Sequence, residues 1–126
     1  MQFKLVAILT LVAASVNGAV LNKRSDPCTC AGRAYSAVDT QTAINQGRTG
    51  GVYGRNRYAH TFNSYDVAID FTPRCTPPFL VEFPLVAGGV YTGGNPGLDR
   101  VVYDLSGDFC GCMTHTGAVG NGFVHC

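Results

Sequence analysis

Apolar residues in this chain mostly come in short blocks broken by glycine and proline, and two stretches depart from that rhythm. The first is Leu5 to Val16, apolar apart from Thr10 and Ser15, with Lys4 before it and Asn17, Gly18 and Ala19 after it. A basic start, a short apolar run and a small-residue end predict a secretory signal peptide over residues 1–18. The run is shorter than the roughly 20 residues that span a bilayer. Lys23-Arg24 then supplies a dibasic site, which predicts a pro-segment over 19–24 and a folded domain over 25–126.

The second departure is a helical pattern. Ser36 is a good N-cap, Asp39 follows three residues later, and Ala37, Ala43 and Ile44 form an apolar stripe that Gly47 ends. The remaining apolar blocks read as strands: Tyr58 to Tyr65, Leu80 to Val86, Arg100 to Tyr103 and Cys110 to Thr116. One helix among several strands predicts an α+β domain, with the helix packed on one face of a central antiparallel sheet.

Composition changes the picture in two ways. The expected domain holds six arginines, no lysine and eight acids, a formal charge of −2, so any contact with nucleic acid must be local rather than a general basic field. It also holds six cysteines, Cys28, Cys30, Cys75, Cys110, Cys112 and Cys126. In an exported domain this size they predict a disulfide framework, and about 15 pairings are open. The C-x-C pairs lack the usual zinc spacing, so no metal is expected.

Three of the apolar blocks carry one ionisable residue: Glu82, Arg100 and His115. Side chains alternate between the faces of a strand, so these three can meet on the sheet face away from the helix, joined by His60 from the aromatic block. A carboxylate base, an imidazole acid and a guanidinium suit cleavage of a phosphodiester through the ribose 2′-hydroxyl. Taken singly, each has a plainer reading. Glu82 fits an edge-strand charge, Arg100 an ion pair with Asp99, and His115 a hydrogen-bonded histidine between threonines. His125, beside the terminal cysteine, reads as structural or exposed. Arg48, Arg55 and Arg57 lie near one another in a glycine-rich stretch and are candidates for RNA phosphates away from the cleavage point, or simply for a solvated loop.

Four ordered blocks then carry a resemblance: Tyr58-Ala-His60, Val81-Glu82-Phe83-Pro84-Leu85, Tyr91 through Asp99-Arg100-Val-Val, and Thr114-His115-Thr-Gly-Ala118. In order and spacing they resemble the fungal guanyl-specific ribonucleases, the ribonuclease T-one family. The resemblance implies that Tyr58 contacts phosphate, His60 assists the base, Glu82 is the general base, Arg100 stabilises the phosphoryl oxygens, His115 is the general acid and Phe123 shapes the phosphate site. The implied product is a 2′,3′-cyclic phosphate, with a bell-shaped pH profile and no metal or cofactor. Arg100 and a protonated histidine are expected to favour ionised Glu82.

The resemblance also assigns a base-recognition set: Phe62, Asn63, Ser64, Tyr65 and Asp66, with Asn121 on the other side of the base. Phe62, Ser64 and Asp66 depart from the family's usual residues. Asp66 stands one methylene short of the usual glutamate, so guanine preference is expected with room for relaxation toward purines. By position, Cys30 and Cys126 match one family bridge, and Cys75 and Cys110 match a bridge of some relatives. Cys28 and Cys112 have no counterpart there, and a bond between them stays open. The implied protein is a secreted monomer acting on single-stranded RNA, with no action on DNA and no membrane partner. The alternative is a catalytically silent, ribonuclease-like secreted effector that binds host RNA or protein.

Overall fold

The computed structural model describes residues 25–62, 69–76 and 78–126. The expected leader and pro-segment, and Asn63, Ser64, Tyr65 and Asp66 of the expected base loop, lie outside the described residues.

The chain opens with a short hairpin, β1 (Cys28–Cys30) and β2 (Arg33–Tyr35). Its two-residue turn, Ala31-Gly32, has both φ angles positive, at 49° and 86°, the geometry a tight hairpin requires. Helix α1 follows over Ala37–Gly47. The Ser36 hydroxyl accepts from the Asp39 N–H at 3.0 Å, and the Asp39 carboxylate accepts from the Ser36 N–H at 2.9 Å. Both free donors at the helix start are thereby satisfied.

The main sheet is an antiparallel meander in chain order. It runs β3 (His60–Phe62), β4 (Leu80–Pro84), β5 (Asp99–Asp104), β6 (Phe109–Thr114) and β7 (Val124–His125). One face packs on the helix, where Ala43 and Ile44 meet a cluster containing Phe83, Val101, Tyr103 and Cys112. The α+β architecture expected from the pattern is the one observed.

Several strand limits differ from the expectation. The block from Tyr58 is strand only from His60, because Tyr58 closes a turn with Tyr53. The Leu80 strand is limited to Leu80–Pro84, with one further backbone bond from the Leu85 N–H to the Asp99 carbonyl. The Cys110 block ends at Thr114, leaving His115 just beyond the strand.

The sheet face away from the helix is itself partly covered. Phe62, Leu80, Val102 and Met113 cover much of it together with Ile69, Phe71 and Cys75, a second apolar cluster. The segment bearing those last residues is tied down by the Cys75–Cys110 disulfide. The other bridges are Cys30–Cys126 and Cys28–Cys112, so the bond left open between Cys28 and Cys112 is formed.

Candidate active site

Alternation along the strands places the ionisable residues on this second face. His60 lies directly across from Glu82 in the β3–β4 ladder, and Arg100 is paired with Pro84 one step along β5. Both charged strand residues are sunk into the sheet surface: Glu82 is 6% exposed and Arg100 2%.

The Arg100 guanidinium is fixed on nearly every side. Its Nη1 donates to the carbonyls of Pro96, Gly97 and Asp99 at 3.0–3.2 Å. Nε and Nη2 donate to the Tyr58 hydroxyl at 3.2 and 2.9 Å. Nε also stands 3.5 Å from the Glu82 carboxylate. A guanidinium has five N–H donors, so one Nη2 N–H has no partner among the described residues. The ring of Tyr58 stacks on that of His60, with centroids 4.4 Å apart. The plainer reading of Arg100 as the ion-pair partner of Asp99 fails. Asp99 points to the helix-side face, where it accepts from Arg33 at 2.7 and 2.8 Å and from the Tyr35 hydroxyl.

His115 follows β6, where its N–H bonds the Leu98 carbonyl at 2.9 Å. Its Nδ1 lies 2.7 Å from the Gly122 carbonyl. A carbonyl can only accept, so Nδ1 carries the proton and Nε2 is left for chemistry. Phe123 stacks on the imidazole with centroids 3.8 Å apart. It also lies 5.8 Å from the Arg100 guanidinium carbon. Tyr58, His60, Glu82, Arg100, His115 and Phe123 therefore form one connected group; the strand pattern had pointed to four of them and the family resemblance to Tyr58 and Phe123.

Burial pushes the Glu82 carboxyl up to about 7, and the neighbouring Arg100 offsets only part of that. As expected, Arg100 favours the ionised carboxylate, but loss of water outweighs the guanidinium. A base poised near neutrality is well matched to taking a proton from a hydroxyl. The acid limb of kcat/KM is accordingly expected near pH 7 rather than in the ordinary carboxylate range. A pH–rate series on a dinucleotide checks this; a limb at about pH 4.5 or below contradicts the burial argument.

Two of the expected base contacts can be placed. Phe62 is 4% exposed, with its ring edge-on to Phe71 and Phe123. It is a core residue that supports Phe123, not an open stacking surface, because the second cluster closes over it. Asn121 is exposed in the turn just before the Gly122 carbonyl. The expectation that His125 is structural or exposed holds: its Nε2 is 2.9 Å from the Asp70 carbonyl, and its ring lies edge-on to Phe71. Sequence reasoning missed the three carbonyls around Arg100 and the Gly122 carbonyl on His115. Backbone acceptors leave no mark in residue identity.

Comparison with known proteins identifies the family. A family model described as ribonuclease matches residues 23–126. Guanyl-specific ribonuclease U1 of Ustilago sphaerogena is 48% identical over 99 residues, covering 77% of this chain and 91% of its own length. Extracellular guanyl-specific ribonuclease Fl1 of Gibberella baccata is 41% identical over 78% of this chain and 93% of its own length. Among solved structures, the ribonuclease He1 of Hericium erinaceus superposes with a TM-score of 0.58 at 42% identity, covering 79% of this chain and 97% of the other. With matches of this extent, the chain belongs to the ribonuclease family that includes the fungal guanyl-specific enzymes.

Proposed function

We propose that this ribonuclease cleaves single-stranded RNA by transphosphorylation, with Glu82 as general base and His115 as general acid. The observation that carries the reading is the order of groups across the sheet. His60 and Glu82 stand on β3 and β4, Arg100 follows on β5, and His115 comes just after β6. A ribose 2′-hydroxyl beside Glu82 gives up its proton and attacks the phosphorus. The phosphoryl oxygens meet the remaining Arg100 N–H, with Tyr58 and His60 lining the same side. The departing 5′-oxygen takes a proton from His115 Nε2. The products are a 2′,3′-cyclic phosphate and a free 5′-hydroxyl, and DNA cannot follow this path because it lacks the 2′-hydroxyl.

The cation that balances the phosphoryl charge is Arg100, so the reaction is proposed to need no metal or cofactor. Guanine is the proposed preference, on the strength of the relatives named guanyl-specific and of the Asn63 to Asp66 segment. Secretion is proposed from the apolar leader and from the relative named extracellular. No helix among the described residues is long and apolar enough to cross a membrane. The domain is proposed to act as a monomer, with no membrane partner. The catalytically silent reading is disfavoured because every acid–base position is filled and gathered.

The test is to digest a mixed-sequence RNA with the purified, disulfide-bonded protein in EDTA and read the new 3′ ends. Ends at guanosine, carrying cyclic phosphate, are expected. Cleavage after all four bases alike contradicts the preference, and no cleavage contradicts the enzyme reading.

A further inference from the structure

Arg48 ends helix α1 with its backbone, its N–H bonding the Ile44 and Gln46 carbonyls, so its side chain has no part in the cap. The ion pairs among the described residues use Arg33, Arg74 and Arg100, and none uses Arg48. Its guanidinium lies against the turn at Gly107, where a Cβ would collide with it; Gly107 has φ +85°. From there it faces a cavity of about 450 Å³ on the helix-side face of the β3 edge. That volume lies within the roughly 300–1,000 Å³ of small-ligand sites.

The cavity has a polar and an apolar side. Thr61 and His60 form the wall on β3, and Val81 and Leu105 supply apolar surface. Its one acid is Asp104, whose Oδ1 already accepts from the N–H groups of Ser106 and Asp108 at 3.0 and 2.9 Å. Oδ1 of Asp104 is therefore engaged with its own turn, and among the described residues Arg48 makes no ion pair. Arg55 and Arg57 do not join it. They sit exposed on the turn between Tyr53 and Tyr58. The three arginines that look like one patch in the sequence are separated by the fold.

His60 belongs to both this cavity and the catalytic group. The sheet order then fixes a direction. The base Glu82 is next to β3, and the acid His115 lies at the other side, beyond β5. The nucleoside losing its 2′ proton thus sits toward β3, and the leaving nucleoside sits toward β6. Chain on the 5′ side of the cleaved nucleoside leaves the site over the β3 edge, where the cavity is.

We propose that this cavity is an RNA subsite for the nucleotide on the 5′ side of the cleaved one, with Arg48 holding the phosphate that joins the two. The sugar or base of that nucleotide lies on Val81 and Leu105. The proposal rests on the acid–base reading above, since that reading gives the polarity.

Binding to RNA oligomers with 2′-deoxyguanosine at the cleavage position tests it, because these lack the attacking hydroxyl and stay intact. The set is dGpC, ApdGpC and dGpCpA, measured at low salt. Wild type is expected to bind ApdGpC about tenfold tighter than dGpC, the effect of one charge-assisted phosphate contact. Arg48→Gln is expected to erase that gain while leaving dGpC affinity unchanged, and Arg55→Gln to keep it. Equal wild-type affinity for dGpC and ApdGpC, a gain that survives Arg48→Gln, or a gain that Arg55→Gln also erases overturns the subsite. An Arg48 effect on dGpCpA instead overturns the polarity. Cleavage of all-ribose GpC is scored separately: loss of cleavage with an intact Arg48-dependent gain removes the acid–base reading and leaves the subsite standing.

Discussion

Replacing Glu82 with glutamine is expected to cut RNA cleavage by about 10²–10⁴-fold, the usual contribution of a positioned proton acceptor, and at the same time to stabilise the fold. The two effects have one cause. The carboxyl is buried in the sheet surface, which pushes it up to about 7 from an ordinary 4.5. The folded protein therefore holds this proton more tightly than the unfolded chain does. That advantage is complete below about pH 4.5 and is lost as pH rises through about 7, where the fold must carry an ionised carboxylate. Glutamine mimics the protonated form and never ionises. At about pH 8 the variant is expected to gain about 3 kcal/mol in urea unfolding, and at about pH 4 to match wild type. A variant no more stable at about pH 8 contradicts the claim that burial governs this carboxyl.

Removing the Cys30–Cys126 bridge by a double alanine substitution is expected to cost about 4–5 kcal/mol, because it closes a long loop in the unfolded chain. The two cysteines are 96 residues apart. Domains of this kind have only about 5–15 kcal/mol in total, so the variant should unfold at much lower urea. The loss reaches the site as well. The Cys126 N–H bonds the Cys112 carbonyl, and the short β7 just before it carries the chain on from Phe123. Freeing that end loosens both the ring stacked on His115 and the turn whose Gly122 carbonyl orients it. Activity per folded molecule is therefore expected to fall too. A cost under about 1 kcal/mol, with full activity, contradicts this account of the bridge.

What could be read in the sequence follows a physical division between local and distant causes. The helix was legible because its signals are local: Ser36 and Asp39 bond each other across one turn, and Gly47 lies at the end. The shared face of the ionisable strand residues was legible because strand alternation is also local, and one charge per apolar block stands out. The β1–β2 hairpin was not. Its turn uses Ala31 with positive φ, a conformation that asparagine or glycine usually announces. Burial of Glu82 was not legible either. It depends on how the strands pair around Glu82, with His60 on one side and Val102 on the other. The covering of the same face by Ile69, Phe71 and Cys75 was not legible, because nothing in the spacing of those residues says where they land. That covering drew Phe62 into the core. The Cys28–Cys112 bond is of the same kind, since it depends on how the first hairpin lies against β6.

The central claim is that Glu82 and His115 act from opposite sides of one phosphate. The most direct measurement is single-turnover cleavage of GpC in EDTA by wild type, Glu82→Gln, His115→Ala and the double variant, with products identified by mass. Each single variant is expected to lose about 10²–10⁴-fold, the wild type to leave guanosine 2′,3′-cyclic phosphate, and the acid limb near pH 7 to vanish in Glu82→Gln. Wild-type levels of cleavage in either single variant, or a product without the cyclic phosphate, would contradict the account.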